Sequence, residues 1–84
     1  MSKASKTLAD ILTGRSDANI PFADICHLLA HAGFTRKAGK GSHTLFHKEG
    51  VEEIINLQPI GNKAKAYQVK QVRNLLLKYQ PDID

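Results

Sequence analysis

From Leu8 to Ala32 the apolar residues recur at helical spacing; from Phe34 to Gln58 they do not, and from Val69 to Tyr79 the helical spacing returns. This switch of period constrains the fold more than any other feature. A chain with helical flanks and a strand-like middle has to lay helices against a sheet of consecutive antiparallel strands, which defines the α+β class. With 84 residues, there is room for one core, because a chain of this size buries only roughly 60–65% of its unfolded surface. A multi-domain enzyme is excluded, and any functional site lies near the surface.

The elements are set by the punctuation. Leu8, Ile11 and Leu12 form a thin stripe over a helix at 5–13, with serines at 2 and 5 as candidate caps and Gly14 as the stop. The polar run from Gly14 to Asn19 separates this helix from the next, so residues 1–19 read as a helical arm and linker, and 20–80 as the domain proper. Pro21 suits the first turn of a helix over 21–32, whose stripe is Phe22, Ile25, Cys26, Leu29 and Ala32. Gly33 supplies a left-handed exit, and Phe34 folds back on the helix. Runs at 34–39 and 42–48 flank Lys40-Gly41 as a hairpin. Glu49-Gly50 turns into a third strand at 53–58, which Pro59 and Gly61-Asn62 close. Val69, Val72, Leu75, Leu76 and Tyr79 line a closing amphipathic helix that ends before Pro81, with Lys70, Arg73, Asn74 and Lys78 off that face. The sequence shows no internal repeat and no low-complexity segment.

Charge is distributed in blocks. Residues 1–33 balance Lys3, Lys6 and Arg15 against Asp10, Asp17 and Asp24. Residues 34–48 carry Arg36, Lys37, Lys40 and Lys48 without an acid, and 63–79 carry Lys63, Lys65, Lys70, Arg73 and Lys78, again without one. Glu49, Glu52 and Glu53 lie between them, and the formal net charge is +4. Folded side by side, the two basic blocks form a surface that can replace phosphate counterions; the alternative is a pair of solvated lysine faces. Cys26 stands alone in an apolar run and reads as a reduced, buried thiol, which fits the cytoplasm. No apolar run approaches the length of a membrane span, and the N-terminal residues do not resemble an export signal. The expectation is therefore a cytoplasmic protein without a membrane partner.

Four histidines are the natural candidates for chemistry near neutral pH. His27 and His31, four apart on a helix, could share a metal, but no further ligand completes the site. His43 and His47 on a strand lie about 13 Å apart, too far to share one ion. His43 follows Gly41 and Ser42, with Lys40 just before. Glycine admits a phosphate close to the backbone, serine adds a donor, and imidazole can take a proton from a ribose 2′-hydroxyl. A polar histidine on a hairpin is the plainer alternative.

The run Gly41-Ser42-His43-Thr44-Leu45-Phe46, with the Ala32-Gly33-Phe34 helix exit before it and Ile55-Asn56-Leu57-Gln58 after it, resembles the HicA toxins of bacterial type II toxin–antitoxin systems. The resemblance extends through Gly61-Asn62-Lys63-Ala64-Lys65-Ala66-Tyr67-Gln68-Val69-Lys70-Gln71-Val72 and into the Ser16-to-Phe22 lead-in, covering about residues 14–80. It implies a fold like a double-stranded-RNA-binding domain, α-β-β-β-α, here with an extra N-terminal helical arm. It also implies a ribosome-independent mRNA interferase that needs no cofactor and is neutralised by a HicB antitoxin covering the active histidine. Mapped by motif, Gly41, Ser42 and His43 form the active segment, with His43 catalytic.

The chain departs from the family pattern at two positions. Many members carry a second histidine where Thr44 stands, and many of this branch carry proline where Ala66 stands. The expected reaction is metal-independent transesterification, with His43 as base toward the 2′-hydroxyl and a 2′,3′-cyclic phosphate as product. Lys37, Lys40, Lys63, Lys65 and Arg73 are the candidate phosphate contacts, each with the alternative of a solvated surface charge. Phe46 and Tyr67 are candidates for base stacking or for the core. Two other classes stay open: a non-catalytic RNA-binding module, and an interaction protein whose basic face meets an acidic antitoxin.

Overall fold

The computed structural model describes residues 3–41 and 43–80. The roles expected of Ser2, Ser42 and Pro81 lie outside the described residues. The element order is α1 (Lys3–Thr13), a 3₁₀ turn (Asp17–Asn19), α2 (Phe22–His31), β1 (Thr35–Ala38), β2 (Thr44–Lys48), β3 (Val51–Leu57), β4 (Pro59–Ile60), β5 (Lys63–Ala64) and α3 (Ala66–Tyr79). β1, β2 and β3 make one antiparallel sheet in that order, and β4 and β5 make a separate two-stranded ribbon. This is an α+β fold, as the change of period requires. No helix among the described residues is long and apolar enough to cross a membrane.

α2 forms where the apolar stripe runs through Ile25, Cys26, Leu28 and Leu29, all buried. Gly33, at φ 93°, ends it in the left-handed conformation that glycine adopts without a Cβ clash. Phe34, 5% exposed, then turns back into the core, and its N–H donates to the Leu29 carbonyl. Lys48 completes the cap from β2: its Nζ donates to Ala32 O at 2.8 Å and lies 5.9 Å from the centre of the Phe34 ring.

The sheet has two unlike faces. Thr44 and Phe46 on β2 pair with Leu57 and Ile55 on β3, and all four are buried. Their neighbours Leu45, Asn56 and Ile54 alternate to the other face, where Ile54 is 65% exposed. The inner face joins Ile25, Leu28, Leu29, Val69, Val72 and Leu76 in a single cluster. α3 packs on β3, and α1 packs on both α2 and α3.

Three features differ from the sequence expectation. The N-terminal helix is part of the core: among the described residues it covers Lys3–Thr13, wider than the expected 5–13, and Ala4, Thr7 and Ile11 are buried, with Ala4 and Ile11 in the common core. Its inward face includes a small residue and a threonine, so a count of large apolar residues understates it. Gly61-Asn62 does not merely close β3; it turns the β4–β5 ribbon, against which Ile20 O and Phe22 N bond to Ala64 N and Asn62 O. Gln68, 4% exposed, is buried within α3 and accepts the Gln58 N–H through Oε1 at 2.8 Å, which fixes the chain where it leaves β3.

Candidate functional site

The loop between β1 and β2 is closed by two backbone bonds, Gly39 N to His43 O at 3.0 Å and His43 N to Lys40 O at 3.1 Å. The second draws His43 back onto Lys40. Gly41, at φ +59°, has nothing within 4 Å of where a Cβ would stand, so that side of it is open. Gly39 is the close-approach glycine: a Cβ there would lie 3.1 Å from His43 Cβ and 3.2 Å from His43 O. His43 therefore sits at the entrance to β2, one residue before the strand, instead of inside it.

Thr44 points inward, so strand alternation turns His43 to the open face. There its Nδ1 lies 3.0 Å from Asn56 Oδ1. The register makes Leu45 the direct partner of Asn56, and His43, two residues back on the same face, is its diagonal neighbour, within reach of two medium-length side chains. The imidazole is partly exposed.

The predicted phosphate contacts divide into three groups. Lys37, paired with Leu45 across the sheet and so on the His43 face, and Lys40, whose carbonyl accepts the His43 N–H, are exposed cations. Lys65 Nζ donates to Gln58 Oε1 at 2.8 Å. Gln58 is two residues from Asn56, about 7 Å along an extended chain, so this bond draws the Lys65 ammonium toward the same end of β3. Lys63 Nζ donates to Asn19 Oδ1 at 3.1 Å and ties the ribbon to the 3₁₀ turn.

Arg73, the fifth of these cations, is engaged within the molecule. Its Nη1 donates to both Asp17 oxygens, at 2.8 and 3.1 Å, and to Ile11 O at 3.2 Å, with its side chain 17% exposed. Its charge is met inside the molecule, where it joins α1, the 3₁₀ turn and α3. The acid lies 56 positions away in sequence, which is why charge blocks alone place Arg73 on a free surface.

The aromatic candidates separate cleanly. Phe46 is 0% exposed and belongs to the core, whereas Tyr67 is 57% exposed at the start of α3. The His27 and His31 rings stand 4.5 Å apart on the outside of α2, and no group of three or more metal-ligating side chains occurs among the described residues. His47 is exposed opposite Thr35, beside the irregularity in the β2–β3 ladder. Burial pushes the Cys26 thiol up, with nearby Arg36 opposing it, so this sulfur is a weak nucleophile at neutral pH.

Sequence reading missed Asn56 and Gly39. Asn56 is a polar residue between two apolar ones in a period-2 run, which marks it as outward-facing; only the β2–β3 register reveals that it reaches His43. Gly39 carried a weaker signal, as one of several glycines around the turn.

No family model, curated protein or solved structure matches this chain.

Proposed function

We propose that the protein is an endoribonuclease in which His43 acts as general base, on a fold arranged like a double-stranded-RNA-binding domain and of the HicA toxin type. The observation that carries this reading is the setting of His43: a partly exposed imidazole, hydrogen-bonded to Asn56, close to Gly41, where a Cβ would meet nothing, and near the cations Lys37 and Lys40. A phosphodiester needs this combination, because close backbone approach and positive charge hold the phosphate while a neutral imidazole removes the 2′ proton. The 2′ oxygen then attacks phosphorus, the P–O5′ bond breaks with the departing 5′ oxygen taking a proton from water, and a 2′,3′-cyclic phosphate remains. The three-stranded antiparallel sheet between α2 and α3 supports the fold assignment, with the short β4–β5 ribbon an addition between sheet and closing helix. Lys37, Lys40 and Lys65 are the proposed phosphate contacts, with Lys63 at the margin; Tyr67 is the proposed base platform. In this reading Gly41 and Ser42 flank the scissile phosphate, mRNA is the substrate, and a HicB-type antitoxin is the partner that covers the site.

The test uses purified protein and an RNA oligonucleotide alongside the same oligonucleotide with 2′-deoxyribose throughout. The expected result is cleavage of the RNA alone, leaving cyclic phosphate ends, and loss of cleavage in His43→Ala with RNA affinity retained. RNA bound but left intact by the wild type would instead identify a non-catalytic RNA-binding module.

A further inference from the structure

We infer that Asn56 is a positioning residue that holds His43 as the Nδ1–H tautomer and leaves Nε2 free as the base, an inference that rests on the ribonuclease reading. Neutral imidazole has one donor and one acceptor nitrogen, and the partner of one ring nitrogen decides the role of the other. Nδ1 faces Asn56 Oδ1 at 3.0 Å. An amide oxygen only accepts, so Nδ1 carries the hydrogen. Nε2, on the far side of the ring, keeps its lone pair and is directed away from β3.

The arrangement is built to hold. Asn56 lies between Ile55 and Leu57, whose side chains are 6% and 0% exposed on the inner face, and its backbone is in register with Leu45. The next residue after Leu57, Gln58, has its N–H fixed by the buried Gln68. On the other side of the contact, His43 is pinned through both its N–H and its carbonyl to Lys40 and Gly39. Both side chains thus project from anchored backbone, and little rotamer freedom is needed to keep them together. During the proposed step the 2′ proton passes to Nε2, and the ring becomes an imidazolium still donating to Asn56 through Nδ1. The amide fixes the ring without adding a negative charge, so it orients the base through neutral hydrogen bonding alone.

Nitrogen-15 NMR of the histidine rings tests this, with His43→Gln to assign the signal, recorded at a pH above which the ring spectrum no longer changes. The expected wild-type spectrum shows a protonated Nδ1 and an unprotonated Nε2 for His43. Asn56→Leu is expected to lose that preference and to lower kcat for RNA cleavage about 10-fold or more, with KM changed less than about twofold. Asn56→Asp restores an acceptor and should restore the Nδ1–H signature. Asn56 is exposed, so the fold survives these changes, and thermal melts of each variant verify it. A wild-type Nε2–H tautomer, which an amide turned to donate from Nδ2 would produce, overturns the inference, as does an unaltered tautomer in Asn56→Leu. A protein with the expected tautomer that cleaves no RNA upholds the orientation and overturns only the ribonuclease reading.

Discussion

Replacing Arg73 by methionine distinguishes an internal fastener from a phosphate contact, and the structure sets the size of the effect. The Arg73 and Asp17 side chains are 17% and 23% exposed, and one nitrogen serves three oxygens at 2.8 to 3.2 Å. Breaking a buried pair costs about 3–5 kcal/mol, whereas exposed pairs contribute about 0–1 kcal/mol. At this partial burial, Arg73→Met should cost about 2–3 kcal/mol, because methionine keeps the packing of the stem but takes the guanidinium donor from the Asp17 carboxylate and leaves the Ile11 carbonyl with the Gly14 N–H alone. For a domain of this length that is a fall in Tm of roughly 10–20 °C. Asp17→Asn combined with Arg73→Met should recover part of the loss, since no unpaired charge remains. Urea melts followed by circular dichroism give the free energies, and RNA affinity at several salt concentrations gives the number of phosphates contacted. Arg73→Met should leave that salt slope unchanged. A stability loss below about 0.5 kcal/mol, together with a slope shallower by about one counterion, would refute the reasoning and return Arg73 to the RNA surface.

Gly39→Ala should cost about 1–3 kcal/mol and lower cleavage, because its methyl group meets His43 at 3.1 Å, whereas Gly41→Ala meets nothing and bears only the left-handed penalty of about 1–2 kcal/mol; paired melts and cleavage assays separate the two. Glu53 is held below the usual carboxylate range by the Tyr79 hydroxyl and then by Lys78. Its folded value is the lower one, so its contribution is present above the unfolded value and disappears as pH falls through the folded one. Urea midpoints of the wild type and Glu53→Gln should therefore differ at about pH 6 and draw together as the pH falls below the ordinary carboxylate range. Phe46→Ala should destabilise by about 3–5 kcal/mol, since the ring is 0% exposed, and a variant that melts like the wild type would remove Phe46 from the core.

Much of the scaffold was legible because its signals are local. The stripe of α2, the Gly33 exit, the Glu49-Gly50 turn and the alternation through Ile55 and Leu57 are each settled within a few residues of sequence. The ribbon was not, because Pro59–Ile60 and Lys63–Ala64 are too short to show a period and rest on Ile20 and Phe22, far away in the chain. α1 was half legible: Ile11 and, in part, Leu8 of the expected stripe face inward, but Leu12 is 42% exposed, and Ala4 and Thr7 become core residues only once α2 and α3 lie against them. At the candidate site, His43 stood out by residue type and neighbours, while its hydrogen-bond partner could not, because nothing near Asn56 in sequence points to residue 43. The ion pair of Arg73 was hidden for the same reason in reverse. Its partner Asp17 belongs to a segment whose charges balance within themselves, and only the tertiary fold pairs the two.

The ribbon also sets the order in which the molecule can be assembled. β1, β2 and β3 are joined by short turns and can zip up from neighbouring sequence, but the Lys63–Asn19 bond closes a separation of 44 residues, and Arg73 reaches back to Ile11 over 62. Closing such loops precedes the contacts that reward it, so they form late. A nascent chain whose α3 is still inside the ribosome exposes the apolar faces of α1 and α2 and lacks Gln68 to hold the end of β3. Synthesis is therefore well advanced before the imidazole of His43 has a fixed partner.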